Sequence, residues 1–227
     1  MQDKINYIDL YCERLNPGIF AEPLNAITNL AFIGIGLFIL KGPSFAGRIL
    51  GVVTILVGFG SLTFHTLATP WAANLDVGFI ALYILMFAYL VPLKLWNLSI
   101  LLTMIFTILV LSLVILFNLL SPYLKNWLGH FPPGIYVGAW LSLLIYTIIS
   151  KLYKIKVAVR WLTIATFLFP ISLTARELDL NICDIFPYGT HWLWHLLNSL
   201  VLGLCCWAFH AEQKSQFNSI TRTESLK

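Results

Sequence analysis

Seven apolar runs, each of about 17 to 25 residues and so able to cross a bilayer as a helix, occupy nearly all of this chain. They fall near 24–40, 46–67, 74–93, 98–118, 134–150, 157–175 and 190–210. Only 11% of the 227 residues are charged, against roughly 25% in a soluble domain, so water is excluded as the main solvent. The expected fold is all-α: a polytopic membrane protein, one seven-transmembrane-helix domain over 1–227, with a polar tail over 211–227 expected to be disordered. No repeat or low-complexity segment interrupts it. The opening segment MQDKINYIDLYCERLNPG is charged and lacks a compact apolar stretch, unlike a cleaved signal peptide.

The basic residues set an expected orientation. One side would hold the N-terminus and the loops near 68–73, 119–133 and 176–190, with Lys4, Arg14, Lys125 and Arg176. The other would hold Lys41, Arg48, Lys94, Lys151, Lys154, Lys156, Arg160, Lys214, Arg222 and Lys227. The excess of positive charge on cytoplasmic loops then puts the C-terminus in the cytoplasm and the N-terminus outside or in a lumen. The net charge of +4 reflects this asymmetry and gives no reason to invoke nucleic acid. Cys12 and Cys183 share the non-cytoplasmic side, where an oxidising compartment permits a disulfide; two free thiols are the alternative. Cys205 and Cys206 fall within the seventh run and read as packing residues.

Three histidines sit inside these runs. His65 ends the second, and His191 and His195 begin the seventh, four apart and so on one helix face. By the same topology all three lie in the non-cytoplasmic half. An ionisable side chain at membrane depth is costly and normally has a partner or a job. Ser61 precedes His65 by four residues, and Asp76 follows it across the short turn ATPWAAN. A lone serine in a membrane helix often bonds the carbonyl four back, here Val57, and a lone histidine often bonds a neighbouring helix. His130, in a loop, and His210, at the opposite end of the seventh run, read as interfacial and structural.

The coincidence of S-x3-H, an aspartate eleven residues on, and H-x3-H in one leaflet favours a metal site. Three imidazoles without thiolates suit a hydrolytic zinc with an open water position. Zinc-bound water would be the nucleophile, Asp76 the general base, and Ser61 the hydrogen-bond donor to the oxyanion. The HExxH pattern of soluble zinc proteases is absent, since Trp194 precedes the second helical histidine.

The segments YCERLNPGIFAEPLNAITNLAFI, GFGSLTFHTLATPWAANLDVGFIALY and HWLWHLLNSLV resemble the signature blocks of the alkaline ceramidase family, within a seven-helix superfamily that includes adiponectin-type receptors. They cover about a quarter of the chain. The resemblance implies an intramembrane amidase that hydrolyses ceramide to a sphingoid base and a fatty acid. It maps the family's zinc ligands onto His65, His191 and His195, and its catalytic partners onto Ser61 and Asp76. It further implies a calcium site before the first helix, with Asp9, Tyr11 (through its carbonyl), Glu13, Asn16 and Glu22 as candidates. Two departures stand out. The family's aspartate two before the cysteine is Leu10 here, and the stretch from Cys12 to Glu22 is shortened. The other reading of Glu13, Glu22 and Asn25 is that they cap the first helix and tie down the N-terminal segment.

Two other functions compete: a receptor-like or structural membrane protein with a non-catalytic zinc, and a hydrolase of another lipid amide or ester. The expected partners are a ceramide-like lipid and the bilayer itself. Nothing in the sequence marks a protein partner.

Overall fold

The computed structural model describes residues 7–128 and 132–224, and His130 lies outside them. The chain is helical, with no β-strand among the described residues. In order come α1 (Pro23–Thr28), α2 (Leu30–Ile39), α3 (Phe45–Leu67), α4 (Pro70–Leu90), α5 (Ile100–Leu128), α6 (Gly134–Leu152), α7 (Lys156–Leu178) and α8 (His191–Glu224). A π-helical turn, Val91–Leu95, follows α4, and a 3₁₀ turn, Asp179–Ile182, follows α7. Six helices, α3 to α8, are long and apolar enough to cross a membrane. Their outward faces expose Val52, Leu101, Ile108, Phe167 and Leu200, a belt suited to lipid rather than water. This is a multi-pass integral membrane protein.

The first expected span differs from the rest. Pro23–Ile39 rises only about 25 Å, short of the roughly 30 Å of a hydrocarbon core. It is also divided at Asn29. The Asn29 side-chain amide donates to the Asn25 carbonyl at 2.7 Å, while its backbone N–H turns to Ala26 at 3.2 Å. A side chain thus replaces the backbone as donor, and the local turn tightens.

Two other boundaries move. α5, expected to end near 118, continues through Pro122 to Leu128; the proline removes one backbone donor without ending the helix. Residues 211–224, expected as a disordered tail, instead continue α8. Low hydropathy argues against membrane burial of this stretch but not against a helix. Helicity needs only backbone bonds and tolerable propensities, and this stretch has neither glycine nor proline.

α8 packs against α1, α2, α3 and α7 and so forms the centre of the bundle. Its far end is tied to α7, whose first-turn N–H groups at Val157 and Ala158 donate to the Glu212 carboxylate at 3.2 and 2.9 Å. At the other end the 3₁₀ turn provides an equivalent tie. The buried Asp179 carboxylate accepts the N–H groups of Thr190 (2.7 Å), His191 (2.8 Å) and Cys12 (3.0 Å). An anion therefore meets the positive end of α8 where the histidines begin. Gly189 makes the approach possible. Its φ of +58° is left-handed, and a side chain there would strike the Asp179 carboxylate.

Candidate metal centre

α3 ends at Ala68, in left-handed conformation with φ 49°, and Pro70 starts α4 after two residues. This tight reversal lays α4 back along α3. The two helices touch closely at Gly60, where any Cβ would meet the Phe79 ring and the Asp76 backbone. Asp76 is thereby set opposite the Ser61–His65 face of α3. The packing of α8 on α3 completes the convergence.

His65, His191 and His195 are all buried, and their ligand atoms lie within 4.8 Å of one another. Ring centroids are 5.1 Å apart for His65 and His191, 4.7 Å for His65 and His195, and 4.6 Å for His191 and His195. The outer nitrogens of two rings are fixed. His65 Nδ1 bonds the Glu22 carboxylate at 2.6 Å. His195 Nδ1 bonds the Thr28 hydroxyl at 3.0 Å, and that hydroxyl is itself a donor to the Leu24 carbonyl, so the imidazole donates. The inner atoms have nothing to bond: His65 Nε2 and His191 Nδ1 are buried without a hydrogen-bond partner among the described residues. Orphaned buried nitrogens are costly and call for a missing ion or water. Imidazoles whose second nitrogen is held by a carboxylate or hydroxyl are also the usual arrangement of metal ligands. The donor set fits a bound metal ion.

Ser61, Asp76, His191 and His195 line one cavity of about 20 Å³, room for a single water. Asp76 Oδ1 is buried there without a partner among the described residues. Among the described hydrogen bonds none ties the Ser61 hydroxyl to Val57, in contrast to Thr63, Thr66 and Thr54, which all bond back along α3. Ile80, Tyr136 and Asn198 line this cavity and also a larger one of about 60 Å³, whose other walls include Phe87, Leu143 and Val201. A polar, water-sized chamber therefore borders an apolar one inside the bundle.

The segment before α1 closes the site from outside. Cys12 and Cys183 form a disulfide with Cα atoms 5.3 Å apart. Next to it, the Tyr11 ring stacks on His191 with centroids 3.7 Å apart and lies 5.2 Å from the His65 ring. Burial pushes the Tyr11 phenol well above its ordinary pKa, so it stays protonated. Neither this stacking nor the role of Tyr136 and Asn198 as cavity walls has a signal in residue spacing or hydropathy. The family resemblance points to Glu22 as a calcium ligand, not as the partner of a histidine 43 residues away.

The calcium candidates do not fit a calcium ion, which takes six to eight oxygens at about 2.3–2.6 Å. Asp9 and Asn16 are exposed, and the Asn16 side chain accepts the Gly18 N–H at 2.8 Å. The Tyr11 carbonyl accepts the Arg14 N–H at 3.2 Å. Glu13 caps α1, taking the N–H groups of Leu24 (2.7 Å) and Asn25 (2.8 Å); burial raises its pKa and those two bonds oppose the rise. Glu22 serves His65, the Asn25 amide at 3.0 Å and Arg14. Burial alone would raise the Glu22 pKa, but its bonds to His65, Asn25 and Arg14 hold it below the usual glutamate value. Among the described residues the cluster of three or more metal-ligating side chains is the histidine group alone.

No protein-family model matches the sequence, and no curated protein matches it.

Proposed function

We propose that the protein is an intramembrane zinc-dependent hydrolase of a lipid amide, splitting ceramide or a related N-acyl lipid into an amine (a sphingoid base for ceramide) and a fatty acid. One observation carries this reading: His191 and His195, whose ligand atoms lie within 4.8 Å of that of the buried His65, share a water-sized cavity with Ser61 and Asp76, and that cavity borders an apolar one. Zinc suits a three-imidazole set and, when bound, acidifies water and polarises a carbonyl. The chain's own groups supply the rest. Asp76 takes the proton of the attacking water as the new carbon–oxygen bond forms, and returns it to the nitrogen as the carbon–nitrogen bond breaks. Ser61 donates to the carbonyl oxygen while it carries negative charge. Glu22 and Thr28 fix the His65 and His195 rings through their outer nitrogens. The apolar cavity receives a hydrocarbon chain that arrives from the bilayer. A purely bracing metal has no need of a carboxylate and a hydroxyl beside it.

The reading includes seven membrane crossings, with Pro23–Ile39 as the short first one, the N-terminus outside or lumenal, and the site in the non-cytoplasmic half. The lysine and arginine asymmetry supports this orientation, as does a disulfide at the same end as the histidines. A C-terminal tag should be digested by protease added to the cytoplasmic face; protection there would invert the topology.

The function is tested with purified protein in detergent, offered ceramide and other N-acyl lipids with and without zinc chelation. Fatty acid release should require zinc and should vanish in Asp76→Ala while the metal stays bound. Wild-type turnover equal to that of Asp76→Ala on every amide would sink the proposal.

A further inference from the structure

A cation already occupies the segment before α1, and the chain itself provides it. The Arg14 side chain is fully buried beside Glu22. Its Nε donates to Glu22 Oε1, one terminal nitrogen donates to the carbonyls of Asn16 (3.2 Å) and Gly18 (3.3 Å), and the other donates to the carbonyl of His65 (2.9 Å). One carboxylate and three carbonyls form the all-oxygen surround that a hard metal cation prefers. Here they surround a guanidinium, whose planar fork of donors fits them.

Two of these contacts converge on one metal-site residue. The His65 carbonyl belongs to the last turn of α3, where carbonyls lack helical partners and a positive charge is favoured. The same guanidinium orients Glu22, whose other oxygen holds His65 Nδ1 at 2.6 Å. Arg14 thus grips His65 by its backbone and, through Glu22, by its imidazole.

We propose that Arg14 is the built-in cation of this segment: a positioning residue that sets His65 for its metal, so that the centre assembles without calcium. A second positive charge would have to share Glu22 with the guanidinium and displace its carbonyl bonds. This inference rests on the histidine group as a metal site and not on the lipid that is cleaved.

The test reads the metal centre directly, in full-length protein loaded with cobalt(II), whose visible absorption reports tetrahedral coordination and whose affinity follows from chelator competition. In the wild type, spectrum and affinity should be the same in EGTA and in millimolar calcium chloride. Arg14→Ala should weaken cobalt binding by roughly 10- to 100-fold, the usual cost of losing a partner of a metal ligand. Millimolar guanidinium chloride should restore most of that loss, and Arg14→Lys, which keeps charge but not the fork, should fall between. A saturable effect of calcium on the wild-type spectrum would overturn the proposal, as would wild-type cobalt affinity in Arg14→Ala. The calcium titration uses unaltered protein, so it decides the matter even if the variants fail to fold. Cobalt binding is read without turnover, so failure of the amidase proposal leaves this result untouched.

Discussion

α8 carries buried histidines in its first two turns and again past its middle, and the two places are used differently. Near its start, His191 and His195 face His65: His191 Nδ1 is buried without a partner among the described residues, its ring stacks on Tyr11, and His195 Nδ1 is held by Thr28. Further along, His210 is just as deeply buried, but its Nδ1 accepts the N–H of Ser44 at 2.9 Å, beside the start of α3. Its ring meets Trp207 and the backbones of Gly42 and Gly47, and it belongs to no metal-ligating cluster among the described residues. Burial of a histidine is therefore not the mark of a site. An unpartnered nitrogen is not the mark either, since His210 Nε2 is one as well; the mark is the convergence of three imidazoles within 4.8 Å, two of them held from behind by Glu22 and Thr28.

The sharpest way to break this contrast is to remove one histidine from each place. His195→Ala should abolish stoichiometric zinc binding and hydrolysis together, whereas His210→Ala should keep the full metal content. Metal retained in the first variant, or lost in the second, would dissolve the distinction. His210→Ala should instead cost about 1–3 kcal/mol of stability, the penalty of leaving the buried Ser44 N–H unpaired, measured as a lowered unfolding midpoint.

Smaller effects test the companions of the metal end. Ser61→Ala should lower kcat by about 10²- to 10³-fold with zinc content unchanged, as expected for an oxyanion donor. If Ser61 only packs, kcat will stay near wild type. Glu22→Gln keeps the shape but removes the charge that holds His65; zinc affinity by chelator competition should fall by roughly 10- to 100-fold. Cys12→Ser with Cys183→Ser should be milder for the metal, since Asp179 still caps α8 and still binds the Cys12 N–H. Its effect should appear as a thermal midpoint below that of the oxidised wild type, matched by reducing the wild type.

Much of the metal end was legible in the sequence because its parts are local. Ser61 with His65, and His191 with His195, follow from four-residue helical spacing, and Asp76 follows from a short turn that α3 and α4 do make. The fixing groups were not legible. Glu22 lies 43 residues from His65, and no periodicity links a segment outside the helices to a helix end. Arg14 counts in the sequence only as one basic residue of the N-terminal side, because hydropathy cannot register a cation surrounded by carbonyls. Helix existence followed from apolar runs. Helix ends did not, since α5 and α8 continue where the apolar signal stops and Asn29 divides a run that looked continuous.

The central claim is that His65, His191 and His195 hold one metal ion. X-ray absorption at the zinc edge, on protein reconstituted with zinc and freed of excess, tests it most directly. One zinc per chain is expected, with three imidazole nitrogens at about 2.0–2.1 Å and one further light ligand. Zinc absent from the washed protein, or an identical spectrum from His191→Ala, would contradict it.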